Sequence, residues 1–193
     1  MPGWMRWFHT YVSMLGLGAL LFFSVTGLTL NHPDWTLGGR RRESTVRGRI
    51  EPSWLRLGAD GKSSDPLRVV EALREQQGIP GLVDDIRDEE TVLTVAFKGP
   101  GSSADVTLQR ASGDYEGAVV LEGPVALLND LHKGRHTGPV WSLCIDLVAG
   151  LLTLVSISGL WLLVYVKRRR RSGLWIGVLG AVLLWLWWVA GVR

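Results

Sequence analysis

TYVSMLGLGALLFFSVTGLTL, residues Thr10–Leu30, runs for 21 residues without a charged side chain. A helix rising ~1.5 Å per residue crosses ~30 Å of hydrocarbon over such a length. Helices of soluble cores seldom run this far without a charge, so a buried globular helix fits poorly. Two further stretches repeat the pattern. Trp141–Val166 holds one charge, Asp146, and Ser172–Val192 holds none. The sequence predicts a membrane α-helical protein with three transmembrane helices.

Charge distribution orients these spans. Of the 18 acidic residues, all but Asp146 lie between Asp34 and Asp130, so residues 31–139 read as a solvated insert. Basic residues concentrate in Lys167, Arg168, Arg169, Arg170 and Arg171, a short connection between two spans. The positive-inside rule makes this a basic cytoplasmic loop, and its brevity argues against nucleic acid as a partner. The N-terminus is then cytoplasmic, residues 31–139 are periplasmic and Arg193 lies outside. Arg40, Arg41 and Arg42 oppose that orientation, but charges in long translocated segments weigh less. Trp4, Trp7, Trp35, Trp141, Trp185, Trp187 and Trp188 flank the spans, where indole rings favour membrane interfaces. The first span reads as an uncleaved signal anchor, being too long for a signal peptide and lacking a small-residue cleavage site. Cys144, the single cysteine, excludes an internal disulfide and reads as a packing residue.

The expected organisation follows. Residues 1–31 form the N-terminus and first span, 32–63 a Gly- and Arg-rich linker, and 64–122 a small α+β domain. Residues 123–139 form a short helix and re-entry segment, 140–166 the second span, 167–173 the basic loop and 174–193 the third span. In the α+β domain, Asp65-Pro66 suits a helix start, Leu67, Val70 and Leu73 share a face, and Gly78 ends the helix. Strands are predicted at Leu82–Asp88, Thr91–Lys98, Asp105–Arg110 and Glu116–Leu121, with turns at Gly99-Pro100-Gly101 and Ser112-Gly113-Asp114. Val125–Leu131 reads as the short helix.

The first two spans resemble each other. Ser24-Val25-Thr26-Gly27-Leu28 ends one, and Ser156-Ile157-Ser158-Gly159-Leu160 lies late in the other, with His9 preceding the first motif and His136 the second. Because the two helices cross in opposite directions, the pattern reads as an inverted repeat whose small residues permit close approach.

All four histidines, His9, His32, His132 and His136, flank a span. Neutral imidazole is the usual axial ligand of haem b, and haem in a bundle sits between ligands on different helices. His9 and His32 are separated by roughly 34 Å of helix and cannot share one haem. His32 can meet His132 or His136, with Arg135 and Arg40–Arg42 available for propionates. Each histidine also has a plainer reading as an amphipathic interface residue. His132 and His136 have i,i+4 metal-pair spacing, but Gly134 argues against a continuous helix and two histidines make a weak metal signal, so no metal ion is expected. Asp146 is the one ionisable group inside an apolar run. It is either a functional intramembrane polar residue with a partner or an interfacial helix-start aspartate.

Taken in order, the chain resembles the PepSY-associated transmembrane (PepSY-TM) family. The resemblance rests on His9-Thr10-Tyr11 and Thr26-Gly27-Leu28 running into Asn31-His32. It continues through Leu131-His132-Lys133-Gly134-Arg135 to Asp146 and Ser158-Gly159-Leu160. Pro66–Leu121 is similar to a PepSY-type helix-and-sheet domain. The resemblance implies a bacterial inner-membrane protein. Some larger relatives are haem-containing reductases that pass electrons outward to ferric siderophores, and by position His9, His32, His132 and His136 would be candidate ligands. This chain departs from them in having a single PepSY domain and three spans, and His9 lacks a second histidine on its own side. The implied function is haem b electron transfer, in the manner of a ferric or other metal reductase subunit, with an unidentified donor and acceptor and a homodimer as one route to a complete ligand set. PepSY domains elsewhere are linked to protease inhibition, so the alternative is a non-enzymatic regulator that binds a protein or peptide.

Overall fold

The computed structural model describes residues 3–32, 34–35, 39–57 and 65–191. Residues 33, 36–38 and 58–63 of the expected linker, the first residue of the expected 64–122 domain and the expected outward terminus at Arg193 lie outside the described residues. Described residues fall into two compact units, one within 1–22 and 146–193, the other within 23–145.

The first unit holds most of the long helices' apolar length. Helix α1 is Gly3–Asn31; helices α4, Gly138–Tyr165, and α5, Arg170–Gly191, close the chain. All three are long and apolar enough to cross a membrane, and none of their large apolar side chains is fully buried. This is the expected state of a helix whose solvent is lipid. Thr153 and Ser156 donate their hydroxyls to the carbonyls four residues back, at 2.8 and 2.9 Å, so neither proton is left unmet in hydrocarbon. The basic connection is shorter than the expected 167–173. Arg170 N–H already bonds Val166 C=O at 2.9 Å and Gly173 N–H bonds Arg169 C=O at 2.8 Å, so the helical ladder resumes within the arginine run. Cys144 is exposed on α4 rather than packed.

The second unit carries the α+β domain. Strand β1 is Arg42–Arg49, followed by a 3-10 turn at Pro52–Leu55 and helix α2 at Pro66–Gln77. Strands β2 (Leu82–Asp88), β3 (Val92–Gly99), β4 (Ser102–Gln109) and β5 (Asp114–Leu121) form an antiparallel meander. The sheet order is β1-β5-β4-β3-β2. Helix α3, Pro124–Lys133, leads back towards α4. Asp65 caps α2 by accepting from Arg68 N–H at 3.2 Å, and Gly78 closes it in the left-handed region, as the sequence predicts.

Alternation places Leu93, Val95 and Phe97 of β3 with Ala104, Val106 and Leu108 of β4 on the face covered by Val69, Val70 and Leu73 of α2. Leu67 does not join them. It is 65% exposed, because at 100° per residue it stands roughly 110° from the centre of the buried stripe. Arg110 anchors the opposite edge of this core, pairing with Asp88 and donating to the carbonyls of Leu55 and Glu89, the latter at 2.7 Å.

Strand β1 corrects the linker reading of 32–63. It pairs with β5 from Arg42↔Leu121 to Arg49↔Asp114, yet among its residues only Val46 is buried. An edge strand with one inward apolar residue carries no readable alternation. Its pairing is supported instead by cross-strand charges such as Arg47–Glu116, and charged edges also discourage strand addition by other chains.

Candidate functional site: two imidazoles held against helix glycines

His9 lies on α1, nearly two turns into the helix. Its Nδ1 is 2.7 Å from Ser158 Oγ on α4. Ser158 donates its own proton to Val155 C=O at 2.9 Å, so its oxygen faces the ring as an acceptor and Nδ1 carries the hydrogen. Nε2 then holds the free lone pair. Ser13 Oγ, 3.4 Å from Nε2, already donates to His9 C=O at 2.6 Å. The ring lies over Gly159, where an added Cβ would stand 3.2 Å from Cε1. A side chain at this position would push the imidazole away.

His132 repeats the arrangement in the other unit. Near the end of α3, its Nδ1 is 2.6 Å from Thr26 Oγ1 on α1. Thr26 donates to Phe23 C=O at 3.4 Å, which again leaves Nδ1 as the donor and Nε2 open. Gly27 lies beneath the ring at 3.6 Å by the same measure, and Phe23 meets it edge-on with centroids 5.2 Å apart. Thr26 is 1% exposed, and Thr29, a turn further on, donates to Asn129 Oδ1 at 2.8 Å, fastening α3 to α1. A tied Nδ1–H with a free Nε2 is the orientation in which histidine serves as a metal or haem ligand.

The two hydroxyl–glycine motifs of the repeat are therefore both histidine seats, but with crossed partners. Ser158-Gly159 receives His9 and Thr26-Gly27 receives His132; neither motif is served by the histidine that precedes it in its own half. Sequence reasoning flagged the motifs and missed their role, because the partner of each lies on another helix.

The remaining candidates stand apart. His32, exposed after the last turn of α1, stacks on Trp35 with centroids 4.4 Å apart and planes 8° from parallel. His136 has a left-handed backbone, φ 56°, in the turn after α3, and its Nδ1 is 4.0 Å from Asp84. Gly134, at φ 66°, ends α3 before His136, so the i,i+4 pair does not form. Among the described residues no hydrogen bond or ring contact joins two histidines, and no group of three metal-ligating residues gathers. Asp146 is exposed on α4 and makes no hydrogen bond or ion pair among the described residues, in contrast to the partner expected for it. Asp84 is the bulged residue of β2, and its carboxyl is held below the usual range by a hydrogen bond from Lys98 Nζ at 2.8 Å.

These donors fit haem in chemistry: imidazoles oriented through Nδ1 by a hydroxyl, each on a different helix from the glycine it faces. They fit it singly, since each seat supplies one axial nitrogen.

Comparison with known proteins agrees with this architecture. A family model described as "Putative PepSY_TM-like" matches residues 3–192. No curated protein and no solved structure matches the chain. A match that runs from the start of α1 past the end of α5 takes in all three apolar helices, the sheet domain and both histidine seats: the chain belongs to the PepSY_TM-like family.

Proposed function

We propose that the protein is a haem b-binding electron-transfer protein of the bacterial inner membrane, with His9 and His132 as axial ligands of separate sites. The observation that supports this reading is the shared geometry of the two imidazoles, each with Nδ1 within 2.7 Å of a hydroxyl oxygen and, among the described residues, no hydrogen bond at Nε2 shorter than 3.4 Å. Bound haem supplies a one-electron Fe(III)/Fe(II) carrier whose potential depends on axial ligand, hydrogen bonding and dielectric. Ser158 and Thr26 orient the ligands, and Gly159 and Gly27 clear the space beside them. With residues 31–139 periplasmic, the acceptor is a ferric siderophore or another oxidised metal complex, each metal centre gaining one electron from a membrane donor. His32 and His136 become reserve ligands, reachable only after the Trp35 stack or the Asp84 contact is given up.

The experiment is pyridine haemochrome stoichiometry on protein from haem-replete cells, with His9→Ala and His132→Ala. Two haems per chain are expected, with each variant losing one. Half of that, with the same losses, means that each haem is shared between two copies. A value near zero sinks the reading.

One observation favours a second reading. Strand β2 ends the sheet with an unpaired edge and exposed Leu82 and Ile86, a surface to which an extended peptide can add. A haem-free protein that captures peptides there would be a PepSY regulator in the manner of a protease inhibitor.

A further inference from the structure

Arg40, Arg41 and Arg42 are unexplained by the fold. All three are exposed, and only Arg41 makes ion pairs among the described residues. Those pairs, to Glu43 at 3.7 Å and Glu122 at 3.8 Å, exceed hydrogen-bond length. Both carboxylates lie beside Arg41, neither within hydrogen-bond reach, and among the described residues Arg40 and Arg42 form no ion pair.

The arginines line two adjoining clefts. One, of about 570 Å³, is bounded by Gly39, Arg40–Arg42, Leu121 and Pro124. The other, of about 390 Å³, shares Gly39, Arg40 and Arg41 and adds Trp35, Glu122, Val125 and Asn129, so the carboxylate beside Arg41 also stands in its wall. Their walls thus combine basic groups with an indole and aliphatic surface. Their depth is set by α1: Trp35 stacks on His32, directly after the helix, and Asn129 is bonded to Thr29 in its last turn. The end of an apolar span lies among lipid headgroups.

We infer that this cleft binds the phosphodiester headgroup of an anionic phospholipid, with Arg40 and Arg42 as paired guanidinium donors and Trp35, Leu121 and Val125 against the glycerol and upper acyl chain. Guanidinium matches phosphate oxygens in a bidentate fork. Interfacial basic residues contribute to anionic-lipid binding in proportion to their number. Free phosphate would use the arginines and leave the apolar wall idle.

The test uses the full chain from haem-deficient cells, so that it does not depend on the haem reading. Nanodiscs of phosphatidylcholine are compared with discs containing phosphatidylglycerol, reading the unfolding midpoint and the phosphatidylglycerol retained per chain by native mass spectrometry. Wild type should gain midpoint with phosphatidylglycerol and retain it. Arg40→Gln/Arg42→Gln should lose about tenfold or more in retention. Arg40→Lys/Arg42→Lys should fall between, and guards against a folding defect in the neutral pair. Lys167→Gln/Arg168→Gln should lose clearly less than the cleft pair, because it removes the same interfacial charge without a cleft. Equal retention by wild type and the glutamine variant overturns the assignment, as does the same midpoint gain from inorganic phosphate in phosphatidylcholine discs.

Discussion

The imidazole of His132 is bonded through Nδ1 to Thr26 Oγ1 at 2.6 Å, joining residues 106 apart in the chain. The hydroxyl decides which nitrogen is free. Thr26→Val keeps the shape and removes the acceptor, so haem retention at this seat should fall about 10–100-fold, the usual scale for a partner that orients a ligand. Thr26→Ser should restore most of it. Titration of apo protein with haem, followed in the Soret band, checks this; identical curves for valine and wild type would refute the orienting role.

The two glycines should differ in tolerance. A Cβ at Gly27 would stand 3.6 Å from His132, an ordinary contact, whereas one at Gly159 would stand 3.2 Å from His9 and require the ring to give way. Gly159→Ala should therefore disturb the His9 seat more than Gly27→Ala disturbs the His132 seat. Haem loss per chain in the two variants is the readout, and the reverse order would contradict the geometry.

Packing in the sheet domain sets its stability. Leu93 and Leu108 are fully buried, so alanine at either should cost about 2–5 kcal/mol. Leu67→Ala, on the exposed side of α2, should stay within about 0.5 kcal/mol. Hydrogen exchange of the β3 and β4 amides in detergent distinguishes them.

Asp84 and Lys98 give the domain a defined pH response. The lysine hydrogen bond holds Asp84 below its ordinary 3.8, and the aspartate in turn holds Lys98 above 10.5. The depressed carboxyl stabilises the fold above 3.8, an effect lost as pH falls through its lowered folded value. The raised ammonium stabilises below 10.5, an effect lost as pH rises through its raised one. Lys98→Gln should move the Asp84 titration upward, as read from its carboxyl carbon shift by NMR. An unmoved midpoint would show that the pair does not form in solution.

Orientation has a direct test. Reporter fusions should give an extracytoplasmic signal at Asp114 and a cytoplasmic one at Arg170. A cytoplasmic signal at Asp114 would reverse the outward electron path.

Read alone, the sequence determined the three apolar helices, the Asp65 cap and Gly78 stop of α2, and strands β2–β5. Each of these is written locally, in charge-free length, alternation and turn residues, and needs no knowledge of what lies opposite. Strand β1 escaped because its one apolar side chain, Val46, sits among charged and small residues, whereas β2, at the other edge, keeps Leu82, Val83 and Ile86. The histidine seats escaped for a different reason. The sequence shows which residues can bond an imidazole, but the choice of partner depends on where helices meet. His9 finds Ser158 across 149 residues, and His132 finds Thr26 rather than the neighbourhood of His32. Only the tertiary structure decided those pairings, because a hydrogen bond of under 3 Å is set by helix approach and not by spacing along the chain.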